Sequence, residues 1–269
     1  MNVLIISILA LSATGAVSAT ILFLTAKKFQ VYEDPRIDAA AAALPSANCG
    51  GCGFAGCRAF ATACVEADSM EGLLCPVGGT EVMKNIASIL GKTAIEAEPT
   101  VAVVRCAGSC DKRARNNHYD GAKTCAIAAQ LYGGETGCVF GCLGFGDCER
   151  ICDFGAIGLN PETLLPEVDE SKCTSCGKCV KSCPKMLIEL RKKGVDSHRI
   201  FVSCRNKDKG AIARKACSAT CIGCSKCLKV CAYQAITIEN NLAFIDDKKC
   251  QLCGSCVAEC PTGAIINKE

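Results

Sequence analysis

Two stretches set four cysteines in the spacing Cys-x2-Cys-x2-Cys-x3-Cys before a proline. They are Cys173, Cys176, Cys179 and Cys183 ahead of Pro184, and Cys250, Cys253, Cys256 and Cys260 ahead of Pro261. Thiolates at this spacing wrap a 4Fe–4S cubane, three of them from one tight loop. A third run, Cys221, Cys224, Cys227 and Cys231, repeats the pattern with Ala232 in place of the proline. A stretched form, Cys138-x3-Cys142-x5-Cys148-x3-Cys152, precedes the first run. In two-cluster modules of this kind the fourth cysteine crosses to the neighbouring cluster. That rule groups Cys138, Cys142, Cys148 and Cys183, and gives the mate Cys152, Cys173, Cys176 and Cys179. In the second pair of runs it groups Cys221, Cys224, Cys227 and Cys260, then Cys231, Cys250, Cys253 and Cys256.

Nearer the N-terminus, Cys49-x2-Cys52-x4-Cys57-x17-Cys75 supplies four more thiols from a Gly-rich loop, enough for a fifth cubane. The glycines let backbone N–H groups approach the anionic sulfides. Zinc is the competing occupant, but zinc sites usually take two separated Cys-x2-Cys pairs. Cys64 follows Cys57 by two helical turns in an Ala-rich run and reads as a buried small apolar residue. Five cysteines then remain. Val101–Cys106 and Arg199–Cys204 both read as strands ending in cysteine, while Gly121-Ala122 and Gly210-Ala211 lead on expected helices to Cys125 and Cys217. The repeat predicts that Cys106, Cys125, Cys204 and Cys217 meet across a pseudo-two-fold axis and hold a sixth cluster, with Cys110 spare. The competing reading is a set of buried apolar thiols.

The elements that must position these residues follow from composition. Cysteine makes up 26 of 269 residues and Trp is absent, so a thin apolar core held by inorganic clusters is expected. A secreted disulfide scaffold is short and follows a basic signal region, whereas no Lys or Arg precedes Lys27. A net charge of +3 gives no reason to expect nucleic acid. Val3 to Leu24 carries no charge and is long enough for one transmembrane helix. Lys27 and Lys28 place the remainder in the cytoplasm by the positive-inside rule. The fold class expected is α+β: an anchor over 1–26, a small Cys-rich 4Fe–4S domain over 32–92 opening on a helix from Arg36 to Leu44, and two bacterial ferredoxin-like two-cluster modules over 135–193 and 218–267. Strand and helix connectors over 93–134 and 194–217 introduce the modules. A turn and short strand after each fourth cysteine, near Ile157, Ile188, Ile236 and Ile265, mark the internal repeat.

Other candidates carry no role. His118 and His198 lie in polar, basic loops, and Gly144-Phe145-Gly146 lacks the strand-to-helix setting of a nucleotide site. Lys181, Lys185, Arg191, Lys192, Lys193, Arg199, Arg205, Lys207, Lys209, Arg214 and Lys215 form a basic middle region. It suits either anionic lipid or an acidic electron carrier.

The motif Leu44-Pro45-Ser46-x-Asn48-Cys49-Gly50-Gly51-Cys52-Gly53-x-Ala55-Gly56-Cys57 with Cys75-Pro76-Val77-Gly78-Gly79, behind an apolar helix and ahead of ferredoxin modules, resembles the B subunits of Rnf complexes. The resemblance covers nearly the whole chain and places it with the longer, two-module forms. It implies an electron wire in an ion-translocating ferredoxin:NAD oxidoreductase of the cell (inner) membrane. The wire would take electrons from reduced ferredoxin, with flavins, NAD site and ion path on partner subunits and no catalytic residue in this chain. The N-terminal motif is also similar to the cluster domain of corrinoid iron–sulfur proteins, which implies an accessory activator of methyl transfer. That reading requires a corrinoid-binding barrel, and no stretch left over is long enough for one.

Overall fold

The computed structural model describes residues 2–29, 33–94, 98–131, 134–194 and 197–268. Met1 of the expected anchor, Tyr32 at the expected start of the cluster domain, and residues 95–97, 132–133 and 195–196 of the connectors lie outside the described residues. Helix α1, Asn2–Lys28, extends the uncharged stretch at both ends. Its segment Ile5–Lys28 has a mean hydropathy of 2.0, and none of it packs against the rest of the protein. An apolar surface of that length suits hydrocarbon. The hydroxyls of Thr14, Thr20 and Thr25 donate to the carbonyls of Ala10, Ala16 and Ile21 at 3.0, 2.7 and 2.9 Å, which satisfies them without water.

Helix α2, Pro35–Ala43, starts one residue before the predicted one because Asp34 caps it: its side chain accepts the Arg36 N–H at 2.9 Å, and Pro35 needs no donor there. It packs with α3, Cys57–Glu66, and α4, Gly79–Leu90, around Ile37, Phe60, Met70, Met83 and Ile86. Cys64 is fully buried in this core, as its sequence setting suggested, and burial pushes its thiol up to about 11. Lys92 closes the end of α3 by donating to the carbonyls of Cys64 and Val65 at 2.6 and 3.1 Å.

Two repeat units follow. In the first, β1, Thr100–Val104, pairs antiparallel with β4, Ile188–Lys192, and β2, Ile157–Leu159, forms a hairpin with β3, Pro166–Val168. In the second, β5, Arg199–Val202, pairs with β8, Ile265–Lys268, and β6, Ile236–Glu239, forms a hairpin with β7, Leu242–Ile245. The expected connectors therefore supply each unit with a strand that pairs with its last one. Short helices α6 (Asp147–Arg150), α7 (Lys178–Ser182), α9 (Lys226–Lys229) and α10 (Ser255–Ala258) follow the first cysteines of the four runs. Three residues past each fourth cysteine stands a left-handed residue, Gly155, Met186, Gln234 or Gly263, after which the strand begins. The fourfold turn-and-strand repeat read from the sequence is present in the backbone.

The units clasp one another. Arg105 donates to the carbonyls of Val202 and Cys204 at 3.0 and 3.3 Å and to Glu189 at 3.2 Å, while Arg191 donates to Glu189 and to the Ile245 carbonyl at 2.6 and 2.9 Å. Arg191 and Arg199 are buried in this joint. The basic middle region is thus divided: two of its arginines hold the units together, and Lys181, Lys207, Lys209, Arg214 and Lys215 remain exposed.

Candidate metal centres

Cys49, Cys52, Cys57 and Cys75 line one hollow of the N-terminal domain. Asn48 shapes it: its Oδ1 accepts the Cys57 N–H at 2.8 Å, and a Cβ on Gly56 would lie 2.8 Å from that same oxygen and push it aside. The Gly78 N–H donates to Cys75 Sγ at 3.3 Å, a contact that favours the thiolate. In the second unit Cys231, Cys250, Cys253 and Cys256 line a similar hollow. Cys221, Cys224 and Cys260 surround Cys227, and Cys152, Cys173 and Cys176 surround Cys179, near enough in each case to act on its ionisation. Burial pushes Cys179 up to about 12 and Cys227 and Cys256 up to about 11.

The remaining two sets differ from the sequence expectation by one exchange. Cys125, not Cys138, lines the hollow with Cys142, Cys148 and Cys183. Cys138, not Cys125, lines another with Cys106, Cys204 and Cys217. The backbone explains why. Cys142, Cys148 and Cys152 match Cys221, Cys227 and Cys231 residue for residue, so Cys138 corresponds to Cys217, and Phe145 stands where the second unit has Cys224. The first run therefore has the ordinary length with Phe145 at the position of Cys224, and Cys138 lies outside it. Helix α5, Cys125–Leu131, folds back to fill the gap: Asp147 Oδ2 accepts the Ala126 N–H at 2.9 Å. Cys125 opens its helix, whereas Cys217 follows the end of α8, Gly210–Ala216, so the two are not equivalent after all. Cys110 is exposed, its Sγ donates to the Glu162 carbonyl, and it lines none of these four hollows.

These hollows fit cubanes. Their open volumes are alike, about 410, 320, 320 and 310 Å³ with solvent-facing space included, so the set with Cys106 and Cys138 resembles the others. Donors aim at the sulfurs: the N–H groups of Ala156, Leu187 and Asn206 reach Cys152, Cys183 and Cys204 at 3.3, 3.3 and 3.4 Å, and Asn206 Nδ2 lies 3.6 Å from Cys138 Sγ. Burial pushes Cys142 up to about 12 and Cys138 and Cys148 up to about 11, so these thiols need cationic iron to ionise. Among the described residues no three His, Cys, Asp or Glu side chains converge as tightly as a single metal ion requires.

Family models match residues 44–71 as an Fe-S cluster, 165–188 as a 4Fe-4S binding domain and 220–264 as a 4Fe-4S dicluster domain. The chain is 43% identical over 265 residues to the B subunit of the Na(+)-translocating ferredoxin:NAD(+) oxidoreductase complex of Acetobacterium woodii, spanning 98% of this chain and 78% of that one. It is 42% identical to the B subunit of the ion-translocating oxidoreductase complex of Methanosarcina acetivorans, over 98% of both chains. The B subunit of the proton-translocating ferredoxin:NAD(+) oxidoreductase complex of Clostridium ljungdahlii is also 42% identical, over 98% of this chain and 93% of the relative. Four-cysteine sites on a repeated scaffold behind an apolar helix, with this similarity along nearly the full length, show that the chain belongs to the B subunits of ion-translocating oxidoreductase (Rnf) complexes, as their iron–sulfur electron-transfer subunit.

Proposed function

We propose that the chain carries six 4Fe–4S clusters in one row, held in two ferredoxin-like modules, the N-terminal domain and the joint between the modules. The observation that carries the reading is the order of the thiol sets. Gly51 of the N-terminal loop packs on Cys176, where a Cβ would come within 2.9 Å of the Cys176 backbone. Cys148 stands near Cys179, Cys106 near Cys142, Cys204 near Cys221, and Cys227 near Cys256, each close enough to shift its neighbour's ionisation. Each step joins one set to the next. The row runs from the set at Cys49, through those at Cys173, Cys142, Cys106 and Cys221, to the set at Cys250.

A bound cubane gains or loses one electron with little rearrangement. The residues of this chain set each potential through burial, N–H···S bonds and nearby charge. They move no protons and attack no substrate, so the energy-coupling chemistry belongs to partner subunits. Electrons enter from reduced ferredoxin at the second unit. Cys224 and Cys253 are exposed there, and Lys207 and Lys209 before α8 and Lys226 and Lys229 on α9 are exposed around Cys224. Loop 207–210 is held against the cluster loop: Asn241 Nδ2 donates to the Lys207 carbonyl at 3.1 Å, and a Cβ on Gly210 would meet the Ile222 oxygen at 2.8 Å. A positive rim beside a solvent-facing cluster steers an acidic carrier. Helix α1 crosses the membrane once and keeps the clusters on the cytoplasmic side, following Lys27 and Lys28.

Anaerobic purification with iron and sulfide analysis, followed by stepwise reduction with ferredoxin, tests the reading. Six clusters give about 24 iron atoms per chain and five give about 20. A count near 20 removes the cluster at the joint, and a fully loaded chain that reduced ferredoxin leaves oxidised removes the donor.

A further inference from the structure

One cation in the joint has no counter-charge. Arg113 lines the hollow of Cys106, Cys138, Cys204 and Cys217 and is only 6% exposed. Its Nη1 donates to the carbonyl of Cys142, which belongs to the adjoining set. Its Nε–H is buried without a hydrogen-bond partner, and among the described residues no carboxylate pairs with it. Two glycines make its room: a Cβ on Gly141 would lie 3.0 Å from Arg113 Nη1, and one on Gly108 would lie 3.4 Å from its Cδ and 3.1 Å from Cys217 Sγ. Arg105, the other buried guanidinium on this hollow, is answered by Glu189.

A buried, unanswered cation is costly unless an anion comes to it. Arg113 lines the hollow of one set and holds the backbone of Cys142 in the other, so its charge lies beside both. A cubane held by four thiolates is anionic, and one added electron makes it more so.

We propose that Arg113 sets the reduction potentials at the junction between the Cys106–Cys138–Cys204–Cys217 set and the Cys125–Cys142–Cys148–Cys183 set. The proposal rests on the six-cluster reading. One electron arrives from the neighbouring cluster on the donor side and leaves to the next, and no bond forms or breaks. The fixed guanidinium favours the reduced member of each couple, so both potentials lie higher than they would without it. Arg113 acts through charge and touches no substrate.

The test is a potentiometric titration, followed by electron paramagnetic resonance, of the full chain loaded anaerobically, for the wild type, Arg113→Gln and Arg113→Lys. Cys125→Ser and Cys138→Ser, each missing one couple, assign the signals. Arg113→Gln should lower both couples by at least a tenfold change in the oxidised-to-reduced ratio, 59 mV for one electron. Arg113→Lys should recover most of the shift, which a purely structural role would not predict. Unshifted couples in Arg113→Gln with iron retained overturn the proposal. If Arg113→Gln loses iron, Arg113→Lys decides: a couple of the Cys125 set within error of wild type supports the charge, and one at least 59 mV below wild type, with iron retained, overturns it. A wild-type count near 20 iron atoms removes the joint cluster alone, and the shift in the Cys125 set still decides for or against Arg113.

Discussion

The two repeat units share a backbone and differ at one ligand. Cys224 of the second unit is exposed, whereas the matching Phe145 of the first lies beneath Tyr119, with ring centroids 5.6 Å apart and Lys123 Nζ 5.6 Å from the Phe145 ring. With Phe145 at that position and Cys125 brought in from α5, the thiol set of the first unit is covered by protein. The second unit keeps its own cysteine and an open edge. On the proposed reading, the same scaffold would serve once as an internal relay and once as a port, and the difference would lie in which cysteine supplies the fourth bond.

The exchange of Cys125 for Cys138 can be broken by counting iron in double variants, where the effect is whole clusters. Residues of one set fail together, and residues of two sets fail separately. Cys125→Ser with Cys148→Ser should lose about four iron atoms, and Cys138→Ser with Cys148→Ser about eight. The partition expected from the run alone requires the opposite pair of numbers. Cys106→Ser with Cys138→Ser should again lose about four.

The contrast between port and relay can be sharpened with charge. Reversing Lys207 and Lys209 to Glu should slow reduction by ferredoxin about tenfold at low salt, with little change at high salt, since screening removes steering. Stopped-flow reduction across ionic strength measures this. A rate that ignores both salt and the substitutions assigns those lysines to another surface. Reversing Lys123, which covers Phe145, should leave the rate unchanged.

Much of this was legible in the sequence. The runs at Cys173, Cys221 and Cys250 have spacings that admit little else, and α1 followed from the absence of charge. The stretched run misled because it was measured on its own. Set against Cys217, Cys221, Cys227 and Cys231, it shows Cys138 as the partner of Cys217 and Phe145 as a missing ligand. That signal was present. The return of Cys125 was not, because it depends on Asp147 capturing the first turn of α5 across twenty-one residues of chain. Nor could sequence divide the basic region, since the burial that sets Arg191 and Arg199 apart from Lys207 and Lys209 depends on how the two units meet.

The reciprocal grip of the units offers a smaller and pH-dependent contrast. Glu170 and Asp247 occupy matching positions, each one residue after an aspartate whose N–H reaches back to Ala156 or Ala235 at 2.8 Å. Asp247 accepts the Lys192 N–H of the first unit at 3.2 Å, a contact that Asp247→Asn can keep. Glu170 instead pairs with the buried Arg199, and with Lys268 at 2.9 Å. Burial opposes its ionisation, but these two cations outweigh that cost and hold its carboxyl below the usual 4.5. The folded state thus binds a proton less readily than the unfolded chain, so the contribution of Glu170 is complete above about pH 4.5 and fades as pH falls through the lowered value. At pH 7, Glu170→Gln should cost roughly 3 kcal/mol, the lower end for breaking a largely buried pair. Asp247→Asn should cost under about 1 kcal/mol. Thermal unfolding of the full chain in detergent, followed by circular dichroism from pH 7 to pH 4, should show the wild type converging on Glu170→Gln below pH 4.5. A gap of constant width would mean that Glu170 holds the second unit by packing and not by charge.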